Sequence, residues 1–316
     1  MKTLFFTALA LLVLFLNFSA QAACSAHSSS SSFGSKSSFE LASSAQSIQT
    51  GSGFNCSGSL LALASTNTVT GTIAASANAI GNQPQLYNAA SGSSIPYTIC
   101  RDTSCSATYR VGESINWSST SLIGLLGLFN ASDGSLPFYL RTATGVNVPA
   151  GIYTDTITVN WRYRICFAGI LGVCLYDTGT ASSTINVTLT VNNDCYINNA
   201  PDVDFGTAAL PGAFPVITNA LNIRCTRNAA YSVNLTGSWP MSGSWRRMAS
   251  TVNGQRYYLQ YQLYRQDGSM WGENNNLRVT GTGNAQTIPY RARINPVQAN
   301  QPAGRYSDTI TVTVSY

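Results

Sequence analysis

Apolar and polar side chains alternate strictly in three stretches of the chain. Between Asp308 and Tyr316, the residues Ile310, Val312, Val314 and Tyr316 are separated by Thr311, Thr313 and Ser315. Between Asp155 and Trp161, the residues Ile157, Val159 and Trp161 are separated by Thr158 and Asn160. Ile185, Val187, Leu189 and Val191 form the third run. A period of two belongs to a β-strand with one buried face and one wet face. The first two stretches close an internal repeat, Pro149-Ala-Gly-Ile-Tyr-Thr-Asp-Thr-Ile-Thr-Val159 and Pro302-Ala-Gly-Arg-Tyr-Ser-Asp-Thr-Ile-Thr-Val312. After the earlier copy the chain makes a cysteine-bounded excursion and returns through the third run. The later copy has no such run after it. One repeat is expected to bring its own partner strand, and the other to lack one.

Short strand patterns broken by Gly, Asn and Pro fill most of the remainder. Tyr97-Thr-Ile-Cys-Arg-Asp102 is similar to Tyr261-Gln-Leu-Tyr-Arg-Gln-Asp267, which gives the two halves a second point of likeness. Two such repeats predict an all-β protein of two β-sandwiches in tandem. Residues 23–192 would form the first domain and 193–316 the second, divided at the polar turn Asn192-Asn-Asp194. Residues 1–22 read as a signal peptide: Lys2, an apolar run from Leu4 to Phe18, then the small-residue site Ala20-Gln-Ala22. That run is short for a membrane span, so the chain is expected to be exported. From Ala23 to Gln49 serine dominates, and so little apolar material predicts a mobile loop.

Composition narrows the chemistry. Eight cysteines, an even number, suit an oxidising compartment. Cys24 and Cys56 are 32 residues apart, and Cys195 and Cys225 are 30 apart, so these are paired as equivalent bridges. Cys100 with Cys105 and Cys166 with Cys174 are the simplest remaining pairs. The two long bridges would each stabilise their domain by roughly 3–4 kcal/mol. The net charge of +5 is spread as isolated arginines, which does not suggest a nucleic-acid partner. His27 is the one histidine and no CxxC occurs, so no metal or other cofactor is expected. Asp155 and Asp308 stand at equivalent places in the repeat, which suits a shared structural turn. No catalytic set emerges, and an enzyme is not expected.

A family resemblance enters with the second half. Cys195, Phe205-Gly206, Cys225, Arg247-Met248, Leu259-Gln-Tyr-Gln-Leu-Tyr264, Trp271-Gly272 and Tyr306-Ser-Asp-Thr-Ile-Thr-Val-Thr-Val314 together resemble the spore coat protein U domain. Subunits of archaic chaperone–usher pili share that domain. The likeness covers nearly all of residues 194–316. In the first half it is partial, for the Arg-Met and Trp-Gly elements are absent. The resemblance implies immunoglobulin-like sandwiches, the C-terminal one lacking its last strand. An acceptor edge at Ile310, Val312, Val314 and Tyr316 would be completed by donor-strand complementation, first by a periplasmic chaperone and later by an adjacent pilin subunit. Assembly would pass through an outer-membrane usher. An edge strand with unpaired amides and exposed Ile and Val fits that remedy. Cleavage after Ala22 would leave no donor segment before Cys24, so the chain is expected to accept a strand without giving one. Such a subunit sits at the pilus tip, on the cell surface.

Two apolar stretches suggest what the tip touches. Leu122, Ile123, Leu125, Leu126, Leu128 and Phe129 lie in a run that breaks alternation and contains Gly124 and Gly127. A short core helix is the plain alternative, although each glycine weakens a helix by roughly 1 kcal/mol relative to alanine. Phe167, Ile170, Leu171 and Val173 lie at a hairpin end, where polar turn residues are usual. Folding back onto the sandwich is the alternative there. Exposed together, the two stretches form an apolar patch able to hold a hydrophobic abiotic or host surface. The expected function is therefore a tip adhesin that supports attachment and biofilm formation. A carbohydrate-binding tip using Trp117, Tyr139, Trp161 or Tyr163 is the second reading, and a minor structural pilin without binding activity the third.

Overall fold

The computed structural model describes residues 23–57, 66–119, 127–170 and 173–316. The three alternating runs are strands. In the first repeat β11 (Gly151–Ile170) lies beside β12 (Val173–Asn192), so the run that follows that repeat is its partner. Ile157, Val159, Ile185, Val187 and Leu189 are fully buried, because both strands turn the same alternating face inward.

The chain divides into two compact units. In the first, β2 (Ser29–Ser37), β5 (Asn67–Ser76) and β9 (Ser114–Ser119) join β11 and β12 in the order β9-β5-β11-β12-β2. A single pair, Thr154 with Tyr87, links this layer to β6 (Gln85–Asn88). From β6 the second layer continues through β7 (Ser93–Cys100), which also pairs with the short β8 (Thr108–Tyr109), then β10 (Pro137–Thr142) and β3 (Ser47–Gly51). Aromatic rings close the space between layers: Phe138 lies 5.7 Å from Trp117 and 5.9 Å from Trp161. Gly71 makes room for Trp161, since a Cβ there would come within 2.6 Å of the indole. The pair β1 (Ala23–Ala26) and β4 (Phe54–Ser57) is tied by Cys24–Cys56.

In the second unit, β13 (Cys195–Asn199), β14 (Ile217–Cys225), β19 (Ala285–Ile294), β17 (Gln255–Arg265) and β16 (Arg246–Val252) make a five-stranded sheet in that order. Against it stands a three-stranded sheet, β18 (Leu277–Thr280), β15 (Ala230–Gly237) and β20 (Ile310–Ser315). Trp271, Ile223, Val233 and Ala292 are fully buried between them. Disulfides join Cys24 to Cys56, Cys100 to Cys105, Cys166 to Cys174 and Cys195 to Cys225, the pairs that the spacing suggested.

Two observations differ from the sequence reading. The serine-rich segment from residue 23 onward is ordered: β2 pairs with β12, Phe33 is buried, and Ser28 Oγ meets Thr184 Oγ1 at 2.8 Å. Its backbone finds a ladder in β12, so it needs few apolar side chains of its own. The second unit also gathers residues 35–44 and 145–151. There α1 (Ser38–Ser43), capped by Ser37, lays Phe39 5.2 Å from Tyr196 and sets Ser38 Oγ 2.7 Å from Thr226 Oγ1. Asn147 donates to the Thr282 carbonyl. A single cut near residue 192 misses both segments, whose packing partners lie far away in sequence. Among the described residues no helix is long and apolar enough to cross a membrane.

Candidate functional site

Strand register assembles one end of the first unit. Asn67 at the start of β5 pairs with Ser119 at the end of β9, and its Oδ1 accepts the Cys166 amide at 2.7 Å. The last β5–β11 pair is Thr68 with Arg164. Three excursions therefore leave the same end of the sheet, after Ser119, after Cys166, and before Asn67. At ~3.3 Å per residue, the twenty residues of β11 span roughly 66 Å, twice the length of β5. Beyond Cys166 the hairpin runs past its neighbour.

The described residues at this end are apolar and wet. Val173 is 80% exposed and Leu175 is 63% exposed, on the same side of β12. Arg164 lies 3.3 Å over the Tyr176 ring and holds the stem. Phe167 and Ile170 belong to β11 by their backbone. Leu122, Ile123, Leu125, Leu126 and Leu171 lie outside the described residues. Leu128 and Phe129 are half-buried, and the Phe129 ring stands 6.3 Å from Phe54. Tyr163 stands 5.7 Å from the same Phe54 ring, so the bases of the two apolar stretches meet there.

Leu175 was missed because the reading stopped at the disulfide; its alternation with Val173 was the available signal. Residues 58–65, also outside the described residues, hold Leu60, Leu61 and Leu63 among glycine and serine, much like the Leu122–Phe129 stretch. Of the rings considered for sugars, Trp117 and Trp161 are core, 7% and 2% exposed, while Tyr139 and Tyr163 are half-buried. Tyr139 lines a shallow hollow of about 410 Å³ with Arg101, Asp102, Asn116 and Leu128.

The second unit presents a different feature. β20 pairs with β15 from Ser232–Ser315 to Gly237–Ile310, and no strand flanks its other side among the described residues. Ile310, Val312 and Val314 are half-buried against the core, and Tyr316 is 58% exposed. On β13, an edge strand of the facing sheet, Tyr196 is 51% exposed and Ile197 42%. An aspartate fixes the entry to each repeat strand. Tyr97 donates to Asp155 and Tyr261 to Asp308, both at 2.6 Å. Burial first, and then the carboxylate, push both phenols far above their ordinary range. These aspartates are bonded turns, as their repetition suggested.

A family model for the spore coat protein U domain matches residues 10–160 and again residues 181–313. The chain belongs to the spore coat protein U domain family. The double match extends the family over the first half, where the sequence likeness was partial. Among solved structures, the CsuC–CsuE chaperone–tip adhesion subunit pre-assembly complex, from archaic chaperone–usher Csu pili of Acinetobacter baumannii, contains a similar chain. It is 28% identical with a TM-score of 0.59, over 93% of this chain and 100% of that one. The CupB6 tip adhesin of Pseudomonas aeruginosa is 12% identical with a TM-score of 0.38, over 93% of each chain. CfaE, the adhesive subunit of CFA/I fimbria of enterotoxigenic Escherichia coli, is 12% identical with a TM-score of 0.36, again over 93% of each chain. No curated protein matches this member of the spore coat protein U domain family.

Proposed function

We propose that the chain is the adhesive tip subunit of a chaperone–usher pilus and attaches to apolar surfaces through the hairpin end of its first unit. The observation that carries this is Val173 and Leu175, open to water at the end of an overlong hairpin. Burying one such side chain gives roughly 1.5–3 kcal/mol, so several acting together hold a surface without specific chemistry. The likeness to a Csu tip adhesion subunit supports the pilus setting. The second unit accepts a strand beside β20, from a periplasmic chaperone and then from the next pilin, with an outer-membrane usher between. Export through the periplasm and display at the pilus tip follow from the same reading.

The test replaces exposed residues, so that folding is spared. Val173→Asp with Leu175→Asp is expected to abolish attachment to apolar plastic while leaving the quantity of surface pili unchanged. Leu125→Asp probes the Leu122–Phe129 stretch separately. Normal adhesion by normally assembled Val173/Leu175 double-variant pili would refute the hydrophobic-contact reading. The hollow beside Tyr139 favours a second reading, a saccharide site, in which a soluble glycan competes for attachment and the double variant still adheres.

A further inference from the structure

Where each repeat enters its strand, the second unit buries an arginine that the first unit lacks. In the first unit Asp155 accepts Ser76 Oγ at 2.5 Å as well as the Tyr97 hydroxyl. Ser76 stands opposite Ile157, and the Pro84 carbonyl accepts the Tyr97 amide. In the second unit Gly237 stands opposite Ile310, in the place of Ser76, and Arg246 pairs with Tyr261, in the place of Pro84. Arg246 is only 1% exposed. Its Nη2 donates to the Leu235 carbonyl at 2.7 Å and the Trp271 carbonyl at 3.0 Å, and its Nη1 faces Glu273 Oε1 at 3.5 Å. A Cβ at Gly237 would lie 2.9 Å from Asp308 Oδ2 and 3.6 Å from Nη1, so glycine leaves the room this cluster occupies.

Leu235 belongs to the three-stranded sheet and Arg246 to the five-stranded one, which makes the guanidinium a strut between sheets. We propose that Arg246 is a positioning residue: it holds the sheets of the second unit in place while the free side of β20 is empty, so that an incoming strand finds its site open. The proposal rests on the strand-acceptor reading given above. Half-buried Ile310, Val312 and Val314 give the sheets a hydrophobic reason to close over the gap. Closing would strip the buried guanidinium of its carbonyl acceptors, which a low-dielectric interior makes unfavourable. The first unit, where β12 already covers β11, keeps the Tyr–Asp pair and has a proline in place of the arginine. An apolar side chain of similar size often packs as stably as a buried ion pair, so stability alone does not call for arginine.

The test uses the full mature chain with native Arg246, Arg246→Met or Arg246→Lys. The probe is a labelled peptide of residues 182–192, the part of β12 that flanks β11; the Asp155-Thr-Ile-Thr-Val159 of β11 recurs as Asp308-Thr-Ile-Thr-Val312, which leads into β20. Fluorescence anisotropy reads uptake, amide exchange at Ile310–Ser315 locates it, and calorimetry reads stability. Arg246→Met is expected to melt at the native temperature or above it, yet take up the peptide about tenfold more slowly. Arg246→Lys should recover part of the rate. Native uptake by Arg246→Met overturns the proposal, and so does a slowing matched by a proportionate loss of melting temperature. A native chain whose β20 amides gain no protection from this peptide, or from one of the same composition shifted by a residue, overturns the acceptor reading itself.

Discussion

β11 and β20 enter from the same turn with the same Asp-Thr-Ile-Thr-Val and differ in what lies beside them. β11 sits between β5 and β12, and its Ile157, Val159 and Trp161 are at most 2% exposed. Among the described residues β20 has β15 on one side only, and its Ile310 and Val312 are half-buried. The same residues in the same conformation therefore differ in burial because β12, the next strand along the chain, lies beside the first, while no described strand lies on the free side of the second. Alternation and β-propensity specify a strand and its inward face, while neighbours decide whether its hydrogen-bonding edge is satisfied. An edge of this kind is a liability in a lone domain and an advantage in a subunit that must be joined to another.

The largest effect expected from this contrast is the removal of β12. Val187 is fully buried, so Val187→Asp should cost several kcal/mol, on the order of 3–5, and abolish the unfolding transition of the first unit. Val314→Asp on half-buried β20 should cost about 1–2 kcal/mol, because its side chain is already partly wet. Differential scanning calorimetry of the full chain reads both. Similar losses from the two substitutions would mean that β20 is covered after all, and the comparison would fail.

A smaller effect comes from supplying what β20 lacks. A copy of residues 182–192, joined after Tyr316 by a Gly/Ser linker, should bury the exposed halves of Ile310, Val312 and Val314. At about 1 kcal/mol each, this is about 3 kcal/mol, or on the order of 10 °C in the melting of the second unit. The first unit should not shift. A melting curve unchanged by the added strand would show that the edge does not accept a partner of this pattern.

The strands that alternate were legible, because a period of two reports a half-buried face directly. Local disulfides were legible from spacing for a similar reason. The role of β2 was not, since Ser29–Ser37 owes its order to hydrogen bonds from β12 rather than to apolar residues of its own. The placement of Phe39 and Asn147 in the second unit was equally hidden, because both depend on partners well over a hundred residues away. Leu175 could have been found by carrying the alternation past Cys174. Arg246 gave no sign in the sequence: beside the more conspicuous Arg247-Met248 it looks like another surface arginine, and only the strand register turns it inward.

The smallest predicted effect separates the two Tyr–Asp pairs, which are alike in length and unlike in surroundings. Asp155 is 3% exposed and also accepts from Ser76 Oγ and from the amides of Asn78 and Thr156. Asp308 is half-buried and also accepts from the amides of Ser238 and Thr309. Losing a donor hurts more where water cannot replace it, so Tyr97→Phe should cost about 2 kcal/mol and Tyr261→Phe about 1 kcal/mol. The pH dependence gives a second readout. Burial, followed by the aspartate, raises both phenols in the folded chain far above the value of about 10 that they have when unfolded. A raised folded value means that unfolding releases a proton in alkali. The contribution is therefore full below about pH 10 and is lost as pH climbs beyond it. Each Tyr→Phe variant should flatten the alkaline fall of its own unit and leave the other unit unchanged. Calorimetry between about pH 8 and pH 11 measures it. An alkaline slope that survives Tyr97→Phe undiminished in the first unit would show that Tyr97 ionises there as freely as in the unfolded chain, and that the pair does not anchor the turn into β11.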